Sequence, residues 1–255
     1  MAKTIKDIKE EFEELDSSNT QEINILIEKY KDDSRVGVVK LVNRYIKIQK
    51  ERQDEIERSK EMFAFDQKYG QYELICGIDE VGRGPLAGPV MAAAVILPKD
   101  CDILYLDDSK KISEKRRELL YDEIIKKSLA YGIGSVSPEE IDEINILQAT
   151  YKAMRKAISD LKLKPDLALV DAETIPNIDI EQVSIVKGDS KSASIAAASI
   201  LAKVTRDRMM VAYDKVYSHY NFESNKGYGS KEHVDAIKKY GPCHIHRRSF
   251  IKNFI

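Results

Sequence analysis

The chain has no tryptophan, three cysteines, seven prolines and no long hydrophobic run, and each shortage narrows what it can be. A membrane-spanning helix needs about 20 consecutive apolar residues. No such run is present, so a soluble protein with no membrane association is expected. The opening MAKTIKDIKEEFEEL is too charged for the apolar segment of a signal peptide, which makes the cytoplasm the expected location. Cys76, Cys101 and Cys243 are far apart, odd in number and without C-x-x-C spacing. That excludes a disulfide framework or zinc ribbon and points to reduced, structural thiols. Charge of one sign is also lacking: 41 basic and 43 acidic side chains leave a net charge of -2. A nucleic-acid partner would therefore be held by local patches, not by overall basicity.

What is present is a charged, globular composition, 43% apolar and 33% charged over 255 residues. That length allows one large domain or a medium one with an appendage. The first 70 residues hold two glycines and no proline, with 14 basic and 16 acidic side chains. Val38, Leu41, Val42, Tyr45 and Ile48 recur at three- and four-residue steps, and KERQDEIERSKEMF alternates charge along one face. The pattern predicts helices near 4–15, 20–31 and 36–67, forming either a solvated spacer or a substrate- or partner-binding appendage. After Gly70, short apolar runs at 73–79, 89–97, 130–136, 166–171 and 182–188 read as five strands. Amphipathic helices are expected near 113–128, 138–160, 191–217 and 230–240. The expected architecture is α/β, a mixed sheet covered by helices. An all-helical extension over 1–70 would precede a sheet domain over 71–255.

Asp79 and Glu80 close the first expected strand, Asp171 closes the fourth, and Asp189 follows the fifth. Ligands of α/β sheets gather at strand ends, where acids far apart in sequence can converge. Converging carboxylates repel and raise one another's pKa unless a cation neutralises them. An all-oxygen set without Cys or His suits Mg²⁺ or Mn²⁺. Two such ions about 3.5–4 Å apart serve hydrolysis of phosphate esters. Adjacent strand residues point to opposite faces, so Asp79 and Glu80 can share an ion only if the chain bends, and Val81-Gly82 can supply the bend. Taken singly, each acid reads first as a strand-end charge, a turn former or, at Asp189, part of a helix cap. Their joint placement favours the site.

Gly82-Arg83-Gly84-Pro85-Leu86-Ala87-Gly88 follows the acid pair. Its spacing does not fit G-x-G-x-x-G opening a helix, which argues against a dinucleotide site. Glycines here let the backbone approach a polynucleotide, loop amides can donate to a sugar hydroxyl or phosphate, and Arg83 adds a fork-shaped phosphate donor. Backbone that close can separate ribose from deoxyribose through the 2′-OH. Lys110 lies in the polar loop Asp108-Ser109-Lys110-Lys111, either a capped turn or a phosphate contact. Ser194, Ser199 and Lys203 punctuate an alanine-rich helix as a polar edge that can face phosphate. Tyr228, between Gly227 and Gly229, can stack on a sugar or base or cover the core. His219, His233, His244 and His246 cluster late in the chain beside Arg247 and Arg248, and they read as a polar basic surface in preference to a zinc site.

The segments GIDEVGRGPLAGPVMAAAVILP, DDSKKISEKRRELLY, EEIDEINILQAT, ALVDA, VKGDSKSASIAAASILAKVTRDR, NKGYGSKEH and HRRSF together resemble bacterial ribonuclease HII, the type 2 ribonuclease H, across nearly all of 72–250. The resemblance implies a ribonuclease H-like mixed five-stranded sheet flanked by helices. It implies that Asp79, Glu80, Asp171 and Asp189 are catalytic metal ligands. It also implies that Gly82, Arg83, Gly84 and Tyr228 read the 2′-OH at an RNA–DNA junction, with Lys110, Ser194 and Ser199 as further substrate contacts. Many members carry glycine after the third acid, where this chain has Ala172. The sister type, ribonuclease HIII, carries Gly-Lys-Gly in the loop and a β-rich N-terminal domain, whereas Arg83 and the helical extension here favour type 2.

The expected function is a metal-dependent endonuclease, with Mn²⁺ or Mg²⁺, acting on RNA–DNA hybrids and on duplex DNA containing single ribonucleotides. Cleavage is expected on the 5′ side of the ribonucleotide, leaving 3′-hydroxyl and 5′-phosphate ends. A monomer is the default expectation. The alternative of another class is a catalytically silent hybrid-binding or partner-recruiting protein, which would have no need for four metal-capable acids at strand ends.

Overall fold

The computed structural model describes residues 3–15 and 19–253. Residue contacts divide the chain into two compact units, Met1–Arg58 and Ser59–Ile255.

In the first unit, α1 (Ile5–Glu13) begins at Thr4, whose hydroxyl accepts from the Asp7 amide while the Asp7 carboxylate accepts from the Thr4 amide. This reciprocal pairing satisfies donors that a helix start otherwise leaves open. Helix α2 (Thr20–Tyr30) starts on Asn19, which caps the Glu22 amide. Ile8, Phe12, Ile23 and Ile27 bury against Val38 and Val42 from the first half of α3 (Val36–Gln67). Phe12 stacks on Tyr45 with ring centroids 4.4 Å apart. The three expected helices are present, the first of them ending at Glu13, two residues short of its expected end.

The second unit is built on five strands in the order β3-β2-β1-β4-β5. β1 (Ile75–Val81) pairs antiparallel with β2 (Val90–Ile96), which pairs antiparallel with β3 (Ala130–Val136). On its other side β1 runs parallel to β4 (Leu167–Asp171), and β4 runs parallel to β5 (Glu181–Ile185). The expected mixed five-stranded sheet is borne out. Helices α4 (Glu114–Lys127), α5 (Pro138–Ile144) and α6 (Ile146–Asp160) precede β4. A 3₁₀ turn (Gly188–Ser190) and α7 (Ala193–Val216) follow β5, and α8 (Phe222–Asn225), α9 (Lys231–Tyr240) and α10 (Arg248–Ile251) close the chain.

Helix α7 crosses β1 and β2 on one face of the sheet, and α6 crosses β2 and β3 on the other. Small residues set the spacing. A Cβ on Gly77 of β1 would lie 2.0 Å from the Ser194 carbonyl carbon, and one on Gly134 of β3 would lie 1.9 Å from the Ala153 oxygen. Ala196, Ala197 and Ala198 are fully buried beneath the sheet. The helix backbone therefore lies against the strand that carries Asp79 and Glu80.

Three sequence expectations change in detail. The single helix expected over 138–160 is broken into α5 and α6 at Asn145, whose φ of 67° stops one helix while its side chain caps Leu147 and Gln148 of the next. The strand expected through Gly188 stops at Ile185, and Lys187 turns in the left-handed region. The compositional boundary near 70–72 is not where packing divides. Ser59 donates to the Ile103 carbonyl at 3.1 Å, Met62 enters the sheet-domain core, and Asp66 accepts from the Ser194 amide at 2.9 Å. The end of α3 thus belongs with the sheet. No helix among the described residues is long and apolar enough to cross a membrane.

Candidate active site

Parallel pairing of β1 with β4 brings two acid-bearing strand ends side by side. Ladder pairing continues through Asp79, Glu80 and Val81, so the two acids leave alternate faces, and the turn at Gly82, with φ of 88°, comes after them. The expected bend does not reorient the pair. Asp79 lies on the α7 face, where Ser199 hydrogen-bonds its carboxylate, and Glu80 lies toward Arg83 and Glu173. Asp171 ends β4, and its Oδ1 accepts from the Gly188 amide at 2.6 Å, which ties β4 to the turn carrying Asp189.

Asp171 is the common neighbour. Its charge helps raise the pKa of Asp79, Glu80 and Asp189, although burial is the largest cause for each. Asp79 is pushed well above the usual carboxylate range by burial, then by Glu80, with Asp171 adding to the shift. Carboxylates kept this close and dry call for positive charge. Among the described residues no three acid, His or Cys side chains form a tight ready-made ligand cluster. Each acid is turned to a protein donor instead: Asp79 Oδ1 accepts from the Glu80 amide at 2.7 Å, and Glu80 pairs with Arg83 at 3.6 Å. The donor set is all carboxylate oxygen, and it fits a hard divalent cation.

A cleft opens from Asp79 and Glu80. It is lined by Gly82, Arg83, Gly84, Ser109, Lys110, Arg117, Ser199, Lys203 and Tyr228. Tyr228 is 42% exposed, and a Cβ on Gly84 would sit 3.9 Å from its Cε1, in ordinary contact. Ser199 Oγ lies 3.0 Å from Ser109 Oγ, within hydrogen-bond distance. The Lys110 ammonium is held in its charged form by Asp108, Asp79 and Asp189, against the opposing effect of burial. Burial pushes Lys203 down, and Asp207 binds it at 2.8 Å.

The structure thus gathers Asp79, Glu80, Gly82, Arg83, Gly84, Lys110, Ser199 and Tyr228 on one cleft, with Asp171 and Asp189 electrostatically joined to its acids. It does not bring Ser194 there. That residue sits at the start of α7 against Gly77, its amide bonded to Asp66. The expected basic histidine surface is corrected in half: His219 and His244 are exposed, but His233 and His246 are buried and bonded to each other. Sequence reasoning missed Glu173, which accepts from Arg83 at 2.8 Å and from Tyr151 at 3.2 Å. Its place two residues beyond Asp171 was the available signal. Ser109 and Arg117 were missed as cleft residues as well.

A mixed sheet with helices on both faces and acids at adjacent strand ends places this chain in the ribonuclease H-like class. The ribonuclease HII profile matches residues 76–253, and the ribonuclease HII N-terminal domain profile matches 4–70. Ribonuclease HII of Lachnoclostridium phytofermentans is 60% identical over 230 residues, 89% of each chain. The crystal structure of ribonuclease H2 from Pyrococcus horikoshii is similar with a TM-score of 0.60 and 28% identity, covering 71% of this chain and 96% of that one. The ribonuclease HII solved with PCNA from Archaeoglobus fulgidus gives a TM-score of 0.58 and 29% identity, over 68% and 93%. The chain belongs to the ribonuclease HII family and is a nuclease with ribonuclease H activity on RNA–DNA.

Proposed function

We propose that this protein incises duplex DNA on the 5′ side of a single embedded ribonucleotide, as well as cutting RNA in continuous hybrids, and leaves 3′-hydroxyl and 5′-phosphate ends. The observation that carries this reading is the opposition of Gly84 and Tyr228 on the same cleft as Asp79 and Glu80. A glycine backbone can donate to a ribose hydroxyl with no side chain in the way, and a half-exposed tyrosine ring across from it can stack on the sugar.

Asp79, Glu80, Asp171 and Asp189 would hold two divalent ions, Mg²⁺ or Mn²⁺. When bound, such ions neutralise phosphate charge and lower the pKa of an attacking water. The chain's own groups orient the substrate. Gly82, Arg83, Gly84 and Tyr228 place the ribose, and Lys110 and Ser199, next to the acids, receive phosphate oxygens. Ser194 lies off the cleft and has no part in this reading.

The test is cleavage of a labelled DNA duplex with one ribonucleotide, beside an all-DNA duplex and a continuous RNA–DNA hybrid, in Mg²⁺, Mn²⁺ or chelator. A cut 5′ to the lone ribonucleotide, abolished by chelator, is expected. Cleavage of the continuous hybrid alone would remove the assigned role of Gly82, Arg83, Gly84 and Tyr228.

A further inference from the structure

Two fully buried arginines hold the glycine loop from inside the protein. Arg206, on α7, donates from Nε to the Pro89 carbonyl at 2.9 Å, from Nη1 to Lys226 at 2.9 Å and from Nη2 to Ala87 at 3.0 Å. Arg247, just before α10, donates from Nε to the Gly88 carbonyl at 2.9 Å, from Nη1 to Arg83 at 2.9 Å and from Nη2 to Gly82 at 2.6 Å. Both side chains are 0% exposed. Taking a guanidinium out of water is costly unless its donors are satisfied, and here the acceptors are all backbone carbonyls. A lysine offers no planar fork and cannot meet three carbonyls in these directions.

We infer that Arg206 and Arg247 are positioning residues for ribose recognition: together they lock the Gly82–Gly88 backbone and the Lys226–Tyr228 backbone into one geometry, so that Gly84 and Tyr228 face each other across the cleft. The inference rests on the proposed reading of those residues as the ribose reader.

The glycines bear this out. Gly82 has φ of 88°, and a Cβ there would lie 2.3 Å from Arg206 Nε. A Cβ on Gly88 would lie 2.4 Å from Met210 Sδ and 3.2 Å from Arg206 Nη2. Only Gly84 has open space on the cleft side, so Gly82 and Gly88 admit the buried arginine while Gly84 admits the substrate. The two loops are also stitched directly. Leu86 donates its amide to the Gly227 carbonyl at 2.8 Å, Gly88 to Ile245 at 2.8 Å, and Arg247 to Leu86 at 2.9 Å. His233 Nδ1 lies 2.8 Å from the Tyr228 carbonyl and braces the far side. Burial, then the nearby Arg206, pushes Arg247 down to about 9, which leaves it charged at neutral pH.

The test compares Arg206→Lys and Arg247→Lys with the parent full-length chain. Values of kcat and KM are measured on the lone-ribonucleotide duplex and on the continuous hybrid. A lone ribose tolerates no displacement of the reader, whereas a continuous hybrid offers a ribose in every register. Misplacement by about 1 Å costs on the order of 100-fold in rate, so kcat on the lone ribonucleotide should fall at least about tenfold further than on the hybrid. KM should stay within about threefold on both, because affinity rests largely on phosphate contacts. A variant that only loses folded protein loses the same fraction of both rates, so equal losses, or none, would overturn the inference.

Tyr228→Ala separates the two levels. If it shifts the substrate ratio and the arginine variants do not, only the positioning role fails. If the parent itself shows no cut at the lone ribonucleotide, the underlying reading fails with it. Should the lysine variants not fold, hydrogen exchange on the parent decides. The Leu86 and Gly88 amides should exchange as slowly as those of β2, and exchange within the mixing time would overturn the inference.

Discussion

The Nε2 atoms of His233 and His246 lie 2.9 Å apart in a buried site, and a single run of donors passes through them. The Cys243 amide donates to His246 Nδ1, so His246 carries its proton on Nε2 and donates to His233 Nε2, and His233 Nδ1 in turn donates to the Tyr228 carbonyl. Both rings are neutral in this arrangement, and a proton added to either leaves two donors facing.

The consequence is a pH-dependent stability. Burial, with His233 alongside, lowers His246 from 6.5 to about 4, and burial lowers His233 too. Folded pKa values below unfolded ones mean that the unfolded chain binds more protons. Stability from the pair is therefore complete above about 6.5 and is lost as pH falls toward 4. A shift of this size for His246 is worth roughly 3 kcal/mol. Urea denaturation at intervals from pH 4 to 7 should show that slope in the parent and a flatter one in His246→Asn. Parallel slopes would refute the assignment.

Much of this was legible in sequence, and the reasons for the rest are specific. Strand ends carrying Asp79, Glu80, Asp171 and Asp189 could be found because apolar runs stop where turn residues begin. Ser194 lies off the cleft because the five residues to Ser199 span about 7.5 Å of helix, which leaves Ser194 beside Gly77 while Ser199 reaches Asp79. Asn145 looks like any helix residue until its left-handed backbone is seen. His233, His246, Arg206 and Arg247 defy the general rule that such side chains stay exposed. Their partners are carbonyls and rings contributed by distant segments, and no local pattern announces those.

Ala172 has φ of 52°, a left-handed conformation that alanine disfavours, and its amide is pinned to the Ile185 carbonyl at 3.1 Å. Glycine at this position would adopt the same backbone without the methyl group's penalty. Relief of the strain outweighs the extra chain entropy of glycine, so Ala172→Gly should add about 0.5–1 kcal/mol of stability. The check is an upward shift of the denaturation midpoint with cleavage unchanged. A lower midpoint would show that the methyl group makes a contact worth more than the strain.

Asp66 receives the Ser194 amide at the first turn of α7, where a helix has donors without internal partners. The same helix presents Ser199 to Asp79. Asp66→Ala removes that acceptor from a buried site and should cost about 1–3 kcal/mol by urea denaturation. An unchanged midpoint would show that the amide finds another acceptor.

Asp79 sets function against stability most directly. Its carboxylate is buried and repelled by Glu80 and Asp171, so without a cation it is a liability to the fold. Asn at this position keeps the shape and removes the charge. Asp79→Asn should therefore raise stability in chelator by about 0.5–2 kcal/mol, as relief of a strained active site commonly does. The same change should abolish cleavage of both the lone-ribonucleotide duplex and the continuous hybrid. Divalent metal should then stabilise the parent more than the variant, because a ligand that binds only the folded state adds stability according to its affinity. Melting curves with and without Mn²⁺ measure this. An equal metal-induced shift in both proteins would remove Asp79 from the ligand set, whatever the activity showed.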